Sequence, residues 1–215
     1  MTGAVFLGAE GILYAAFLAL DLLYPGSGWD VPLKYLSIVL CFLWAWKKGS
    51  GSDGRLMTAA LGFTLLADLF LLVLDRWYLA GVSAFCVVQV LYLVRIAKAR
   101  PCKLPLRLTL RAALAAAALG GVWYLGALDP LTALSLCYFT LLAGSALECL
   151  IFHPPFPGFG LGLILFACCD VCVGLQNLFR WFPDAGGPLV AFARVGMWLF
   201  YLPAQVLLAQ SVERK

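Results

Sequence analysis

The chain of 215 residues is 64% apolar by side chain and only 12% charged, whereas a water-soluble domain carries about 45–50% and about 25%. It has too few polar side chains to cover a water-facing surface, and its net charge of +4 comes from Lys and Arg scattered between apolar runs, which offers nucleic acid no continuous basic face. An integral membrane protein remains, and at about 20 residues per span it has no room for a separate extramembrane domain.

The first apolar run has no basic segment before it and continues to Tyr24. That is too long for the apolar core of a signal peptide, so a retained helix is expected over 3–24. Seven interruptions follow in chain order, at Pro25-Gly-Ser-Gly-Trp-Asp30, Lys47 to Arg55, Asp75-Arg76, Lys98 to Lys103, Asp129-Pro130, His153 to Gly158 and Pro183 to Pro188. They predict further helices over 31–47, 56–75, 78–98, 104–126, 130–152, 159–181 and 189–211. Runs of about 20 residues exclude a barrel, whose strands alternate over about ten. The expected fold is all-α, a polytopic bundle of eight transmembrane helices forming a single domain over 1–215. The third and seventh helices each carry Leu-Gly early and an Asp mid-span, a similarity that reads either as two four-helix halves or as chance.

With eight spans, both termini and the loops after helices 2, 4 and 6 share one side. That side holds eleven Lys and Arg (47, 48, 55, 95, 98, 100, 103, 107, 111, 214 and 215) against four on the other, Lys34, Arg76, Arg180 and Arg194. The positive-inside rule therefore predicts cytoplasmic termini, in the plasma membrane if the source is bacterial. Most of the eight cysteines lie inside apolar runs, where Cys acts as a small hydrophobe, so no disulfide framework is expected. Cys169-Asp-Val-Cys172 reads as small-residue helix packing before it reads as a redox pair. No metal is expected, since zinc needs several ligands at suitable spacing and the one histidine, His153, stands at a membrane edge.

The informative residues are those that do not belong in lipid. A charged Asp at a helix centre costs about 2.5–3.5 kcal/mol on insertion scales, and Asp68 and Asp170 both fall near mid-span. Helical spacing extends them into polar stripes: Thr64, Asp68 and Asp75 on helix 3, and Asp170, Gly174 and Asn177 on helix 7. Helix 4 adds Phe85, Gln89 and Tyr92; helix 8 adds Arg194, Trp198, Tyr201 and Gln205. Four helices thus aim polar groups at one depth, as around a cavity in a bundle. Gln, Asn, Thr and Tyr serve equally well as hydrogen-bonding glue between helices, for which a carboxylate is an expensive choice. Glu10 and Glu148 lie toward helix ends and are expected to meet water.

Two buried carboxylates near one another can divide a proton, one acting as acid and the other as base. That division suits hydrolysis through an oxocarbenium ion, as in two-carboxylate glycosidases, and among lipids the bond with this chemistry is a vinyl ether. Val31-Pro-Leu-Lys-Tyr-Leu-Ser, Leu66-Ala-Asp-Leu-Phe-Leu, Gly81 to Tyr92, Phe166-Ala-Cys-Cys-Asp and Tyr201-Leu-Pro-Ala-Gln-Val-Leu-Leu resemble the spaced motifs of the YhhN-like lysoplasmalogenase family. The resemblance runs through most of the chain. It implies an eight-span protein that cleaves the vinyl ether of lysoplasmalogen lipids to a fatty aldehyde and a glycerophospho-base without a cofactor, with Asp68 and Asp170 as the catalytic pair.

The sequence departs from that family at Gln89, where the pattern has His, and at Ala67 and Cys169, where the residue before each Asp is usually Gly or Ser. Gln can hold water or substrate but carries no proton at neutral pH. Lys34 occupies the family's Lys position, from which it can reach a lipid phosphate or snorkel to the interface; Arg194 has the same two readings. Lys34, Gln89, Tyr92, Asn177, Tyr201 and Gln205 are the expected substrate-binding set. A small-solute or proton-coupled transporter is the alternative, with Pro203 as the only proline inside a core span. A catalytically degenerate membrane scaffold is the third reading, favoured by Gln89.

Overall fold

The computed structural model describes residues 2–24, 26–99, 104–152, 156–181 and 187–212. Its helices are α1 (Gly3–Leu23), α2 (Val31–Lys48), α3 (Gly51–Asp68), α4 (Tyr78–Ala99), α5 (Leu104–Tyr124), α6 (Pro130–Phe152), α7 (Phe159–Trp181) and α8 (Gly187–Gln210), with a π-helical turn, Leu69–Val73, continuing α3. Among the described residues there is no strand. Arg100, Cys102, Lys103, His153, Asp184, Arg214 and Lys215 lie outside the described residues.

The helix ends follow local chemistry. Thr2 caps α1 by accepting the Val5 amide, and Pro32 starts α2 where a missing N–H costs nothing. Asp129 caps α6, its carboxylate accepting the amides of Leu131 and Thr132 and the Thr132 hydroxyl. One expected boundary is corrected: the glycine- and serine-rich stretch before Arg55 is the first turn of α3, which begins at Gly51 and not at 56. The reason is tertiary. Asp53 is buried and held by both nitrogens of the Arg95 fork, each 2.8 Å from a carboxylate oxygen, which outweighs the weak helix propensity of Gly and Ser.

After Asp68 the helix widens. The Leu74 amide donates five residues back to the Leu69 carbonyl, the π pattern that recurs at functional sites. The chain then turns sharply through Asp75 and Trp77, both with positive φ (46° and 57°), a conformation costing non-glycine residues about 1–2 kcal/mol. The Trp77 ring packs edge-on against Phe70, and the Arg76 guanidinium lies over it. Opposite the π turn, Gly81 of α4 leaves room for Leu71; a methyl group there would come within 2.5 Å of Leu71 Cγ.

Seven of these helices are long and apolar enough to cross a membrane. The exception is α2, whose 18 residues include Lys34, Lys47 and Lys48. Large apolar residues such as Ile12, Leu110, Leu147, Val171 and Leu199 face outward, the distribution required when lipid is the solvent. Trp29, Trp77 and Trp123, in or beside the turns at the face opposite the N-terminus, are all exposed, as expected of an aromatic belt at an interface.

The most extensive packing joins α7 to α8. Gly162 permits it, since an added Cβ would lie 2.9 Å from Leu208 Cγ and 3.2 Å from the Ala204 carbonyl, the close approach that small residues provide between membrane helices. α8 also packs against α1, α2 and α3, and α4 packs against α6, so helices from the two ends of the chain interleave. α5 lies at the edge on α6, tied there by Arg111, which donates to Glu148 at 2.7 Å.

Candidate active site

Asp68 closes the α-helical part of α3 and is buried. Its Oδ2 accepts the hydroxyl of Tyr201, from α8, at 2.7 Å. Asp170, half-buried on α7, accepts the hydroxyl of Tyr138 from α6 through Oδ2. The carboxylates are thus organised as two Asp–Tyr pairs and not as a directly hydrogen-bonded dyad. A charge-assisted hydrogen bond of this kind contributes about 1.5–3 kcal/mol and orients the carboxylate.

Phe166 lies between the pairs, its ring centre 5.5 Å from that of Tyr201 and 6.5 Å from that of Tyr138. Phe85 packs against Phe166 and Tyr138, both at 5.6 Å. Cys169, also buried, is within electrostatic reach of both carboxylates, and the two tyrosine hydroxyls are within reach of each other. Five helices, α3, α4, α6, α7 and α8, therefore converge on one enclosed region lined by aromatic rings and a thiol.

The other expected site residues divide. Gln89, Tyr92 and Gln205 are all fully enclosed, on the same buried faces of α4 and α8 that carry Phe85 and Tyr201. Asn177 is exposed near the end of α7, as is Gly174; the stripe extrapolated from Asp170 leaves the packed face before reaching them. Arg194 is exposed as well.

Lys34 requires a correction. It neither reaches outward to a lipid phosphate nor snorkels: it is 4% exposed, with its ammonium 2.8 Å from Asp21 and 2.5 Å from Asp30 and over the rings of Trp198 and Phe17. Residues 21 and 30 converge on it because α1 and α2 are joined by a tight turn with Gly26 and Gly28 at positive φ. Burial pushes the Asp30 carboxyl up, but the hydrogen bond and charge of Lys34 outweigh it and hold the group below the usual carboxylate range. Lys34 is linked to Tyr201 only through Trp198, which packs edge-on against the Tyr201 ring with ring centres 5.3 Å apart.

Glu10 and Glu148 are corrected too. Glu10 is 3% exposed and accepts the Cys41 thiol, while Glu148 is held by Arg111 and Arg107 between α5 and α6. Tyr138 was missed by sequence reasoning. Its signal was available: a mid-span phenol needs a partner as much as a carboxylate does.

A shallow groove of about 670 Å³ on the outer side of α2 and α3, lined by Phe42, Trp46, Arg55, Thr58, Phe63 and Leu66, lies apart from both Asp–Tyr pairs. Among the described residues no cluster of His, Cys, Asp and Glu is arranged to hold a metal ion.

No curated protein and no solved structure matches the chain. A family model, that of the YhhN family, matches residues 29–212. This segment contains both Asp–Tyr pairs, and by the extent of the match the chain belongs to the YhhN family.

Proposed function

We propose that this protein is a membrane hydrolase that cleaves the vinyl-ether bond of lysoplasmalogen-type lipids, with both termini in the cytoplasm. Asp68 and Asp170 supply the acid and the base. The acid donates a proton to the β-carbon of the C=C–O unit, and the adjacent carbon becomes an oxocarbenium ion. The base takes a proton from water as the water oxygen bonds to that carbon. The resulting hemiacetal collapses to a fatty aldehyde and the glycerol hydroxyl of the glycerophospho-base. One water is consumed and no net proton, so a proton passing from base to acid resets the site.

The observation that carries the reading is the pairing of each carboxylate with a tyrosine on either side of Phe166 and Cys169. Each tyrosine fixes one carboxylate oxygen and leaves the other to face substrate or water, the division that acid and base roles require. The aromatic lining suits the apolar chain next to the vinyl ether and excludes bulk water from the cation. Gln89, Tyr92 and Gln205 orient water or the glycerol portion.

The test is release of fatty aldehyde from a lysoplasmenyl lipid by the purified protein. Turnover is expected for the native chain and loss of it for Asp68→Asn and Asp170→Asn; unchanged turnover in both variants contradicts the mechanism.

A further inference from the structure

Toward the face that carries the N-terminus, a second set of polar side chains lies one helical turn from the Asp68–Tyr201 pair. Thr64 precedes Asp68 by one turn on α3, and Gln205 follows Tyr201 by one turn on α8. Gln89 and Tyr92 follow Phe85 on the buried face of α4. The Cys41 thiol of α2 donates to Glu10 Oε1 of α1 at 3.5 Å, with Ser37 beside the same carboxylate. Tyr92 is within reach of both Cys41 and Thr64. α2 and α8 pack together and run in the same direction, and Lys34 and Trp198, which meet, each stand seven residues before Cys41 and Gln205 on their helices.

Glu10 is 3% exposed, and Ser37, Cys41, Thr64, Gln89, Tyr92 and Gln205 are fully buried. Among the described residues ten buried polar side-chain atoms lack a hydrogen-bond partner, and six of the ten belong to four of these residues: Glu10 Oε2, both amide atoms of Gln89, Tyr92 Oη and both amide atoms of Gln205. Each unsatisfied group costs about 1–3 kcal/mol if it stays dry. Native proteins rarely leave such groups clustered without a partner. Direct pairing among them would satisfy some, yet they come from three helices at spacings that leave both ends of each glutamine unbonded. A buried water makes about three hydrogen bonds, so six such atoms call for about two waters or more.

We propose that α1, α2, α3, α4 and α8 enclose a water-holding chamber anchored by Glu10, Gln89, Tyr92 and Gln205. Its ligand is a small cluster of waters, and on the hydrolase reading, on which this role rests, the chamber supplies the molecule added to the oxocarbenium ion beside Asp68. Glu10 lies outside the segment shared with the family, residues 29–212, so its place in the chamber comes from the packing of α1 and not from family membership.

X-ray hydroxyl-radical labelling of the full chain in lipid nanodiscs tests the chamber, because radicals made from bound water oxidise the side chains that touch it. Cys41 and Tyr92 are expected to label about tenfold faster than the equally enclosed Phe17 and Leu142 after correction for intrinsic reactivity. The Glu10→Leu/Gln205→Leu variant is expected to abolish most of that excess and to slow aldehyde release. Should that variant fail to fold, the comparison within the native chain still decides. Labelling of Cys41 and Tyr92 at the rate of Phe17 and Leu142 overturns the chamber, whatever the enzyme's activity. Fast labelling without aldehyde release from the native chain overturns the supply role together with the hydrolase reading, and leaves the hydrated chamber in place.

Discussion

The hydroxyl of Tyr201 donates to Oδ2 of Asp68 over 2.7 Å, joining α8 to α3 across 133 positions of sequence. This bond defines one half of the proposed site, and the bond from Tyr138 to Asp170 defines the other. Removing either hydroxyl leaves a carboxylate, buried at Asp68 and half-buried at Asp170, without its donor. Tyr201→Phe and Tyr138→Phe are each expected to reduce aldehyde release by about 10- to 100-fold, the equivalent of about 1.5–3 kcal/mol for a charge-assisted bond. Steady-state turnover on a lysoplasmenyl lipid checks this, and native rates in both variants would remove the tyrosines from the machinery.

Lys34 is expected to matter for stability first and for turnover second. Lys34→Met leaves Asp21 and Asp30 facing each other without their shared cation and takes the charge from the Trp198 ring. The cost is about 2–4 kcal/mol, below that of a fully enclosed pair because Asp21 is 30% exposed. Thermal unfolding in detergent measures it. A role confined to stability predicts a lower Tm with native turnover at low temperature; positioning of Tyr201 through Trp198 predicts a fall in turnover there as well.

Much of this was legible in the sequence. Pro, Gly and charge between long apolar runs located the helices to within a few residues, and the cost of a carboxylate in lipid singled out Asp68 and Asp170. Tyr201, Gln89, Tyr92 and Gln205 followed from helical spacing and are enclosed in the bundle. What could not be read was pairing over distance. Lys34 looked like an interfacial lysine because its two acids come from the end of α1 and the start of α2, which only a tight turn brings together. Glu10 looked solvated because nothing local shows that α2 covers it. Asn177 was carried along by periodicity past the point where its face of α7 is packed. Tyr138 passed as one more apolar residue of α6.

Arg95 is the strongest candidate for a purely structural role. It is 1% exposed, donates to both oxygens of Asp53 and to the hydroxyl and carbonyl of Ser211, and lies over the rings of Phe156 and Phe159. Arg95→Met strands the Asp53 carboxylate and is expected to cost about 3–5 kcal/mol. Adding Asp53→Asn removes the stranded charge, so the double variant is expected to recover part of the lost thermal stability. A double variant less stable than Arg95→Met would contradict the pairing.

The cap of α6 makes the clearest pH prediction. The Thr132 hydroxyl, followed by the Thr132 and Leu131 amides, holds Asp129 below its ordinary value of 3.8. A group depressed in the folded state contributes stability above its unfolded value and loses it as the pH falls through the folded one. Hydrogen-exchange protection of the Leu131 and Thr132 amides is expected to be full at neutral pH and to fall below about pH 4. Asp129→Ala removes the difference between the two conditions. Equal protection at both pH values in the native chain would contradict the cap.

The most direct measurement for the whole account is mass-spectrometric detection of fatty aldehyde from a lysoplasmenyl lipid, comparing the native chain with Asp68→Asn, Asp170→Asn and the double variant in the same membrane mimic. If the two acids serve one reaction, each single substitution abolishes turnover and the second adds nothing to the first. Turnover that survives in either single variant, or a native chain that releases no aldehyde, contradicts it.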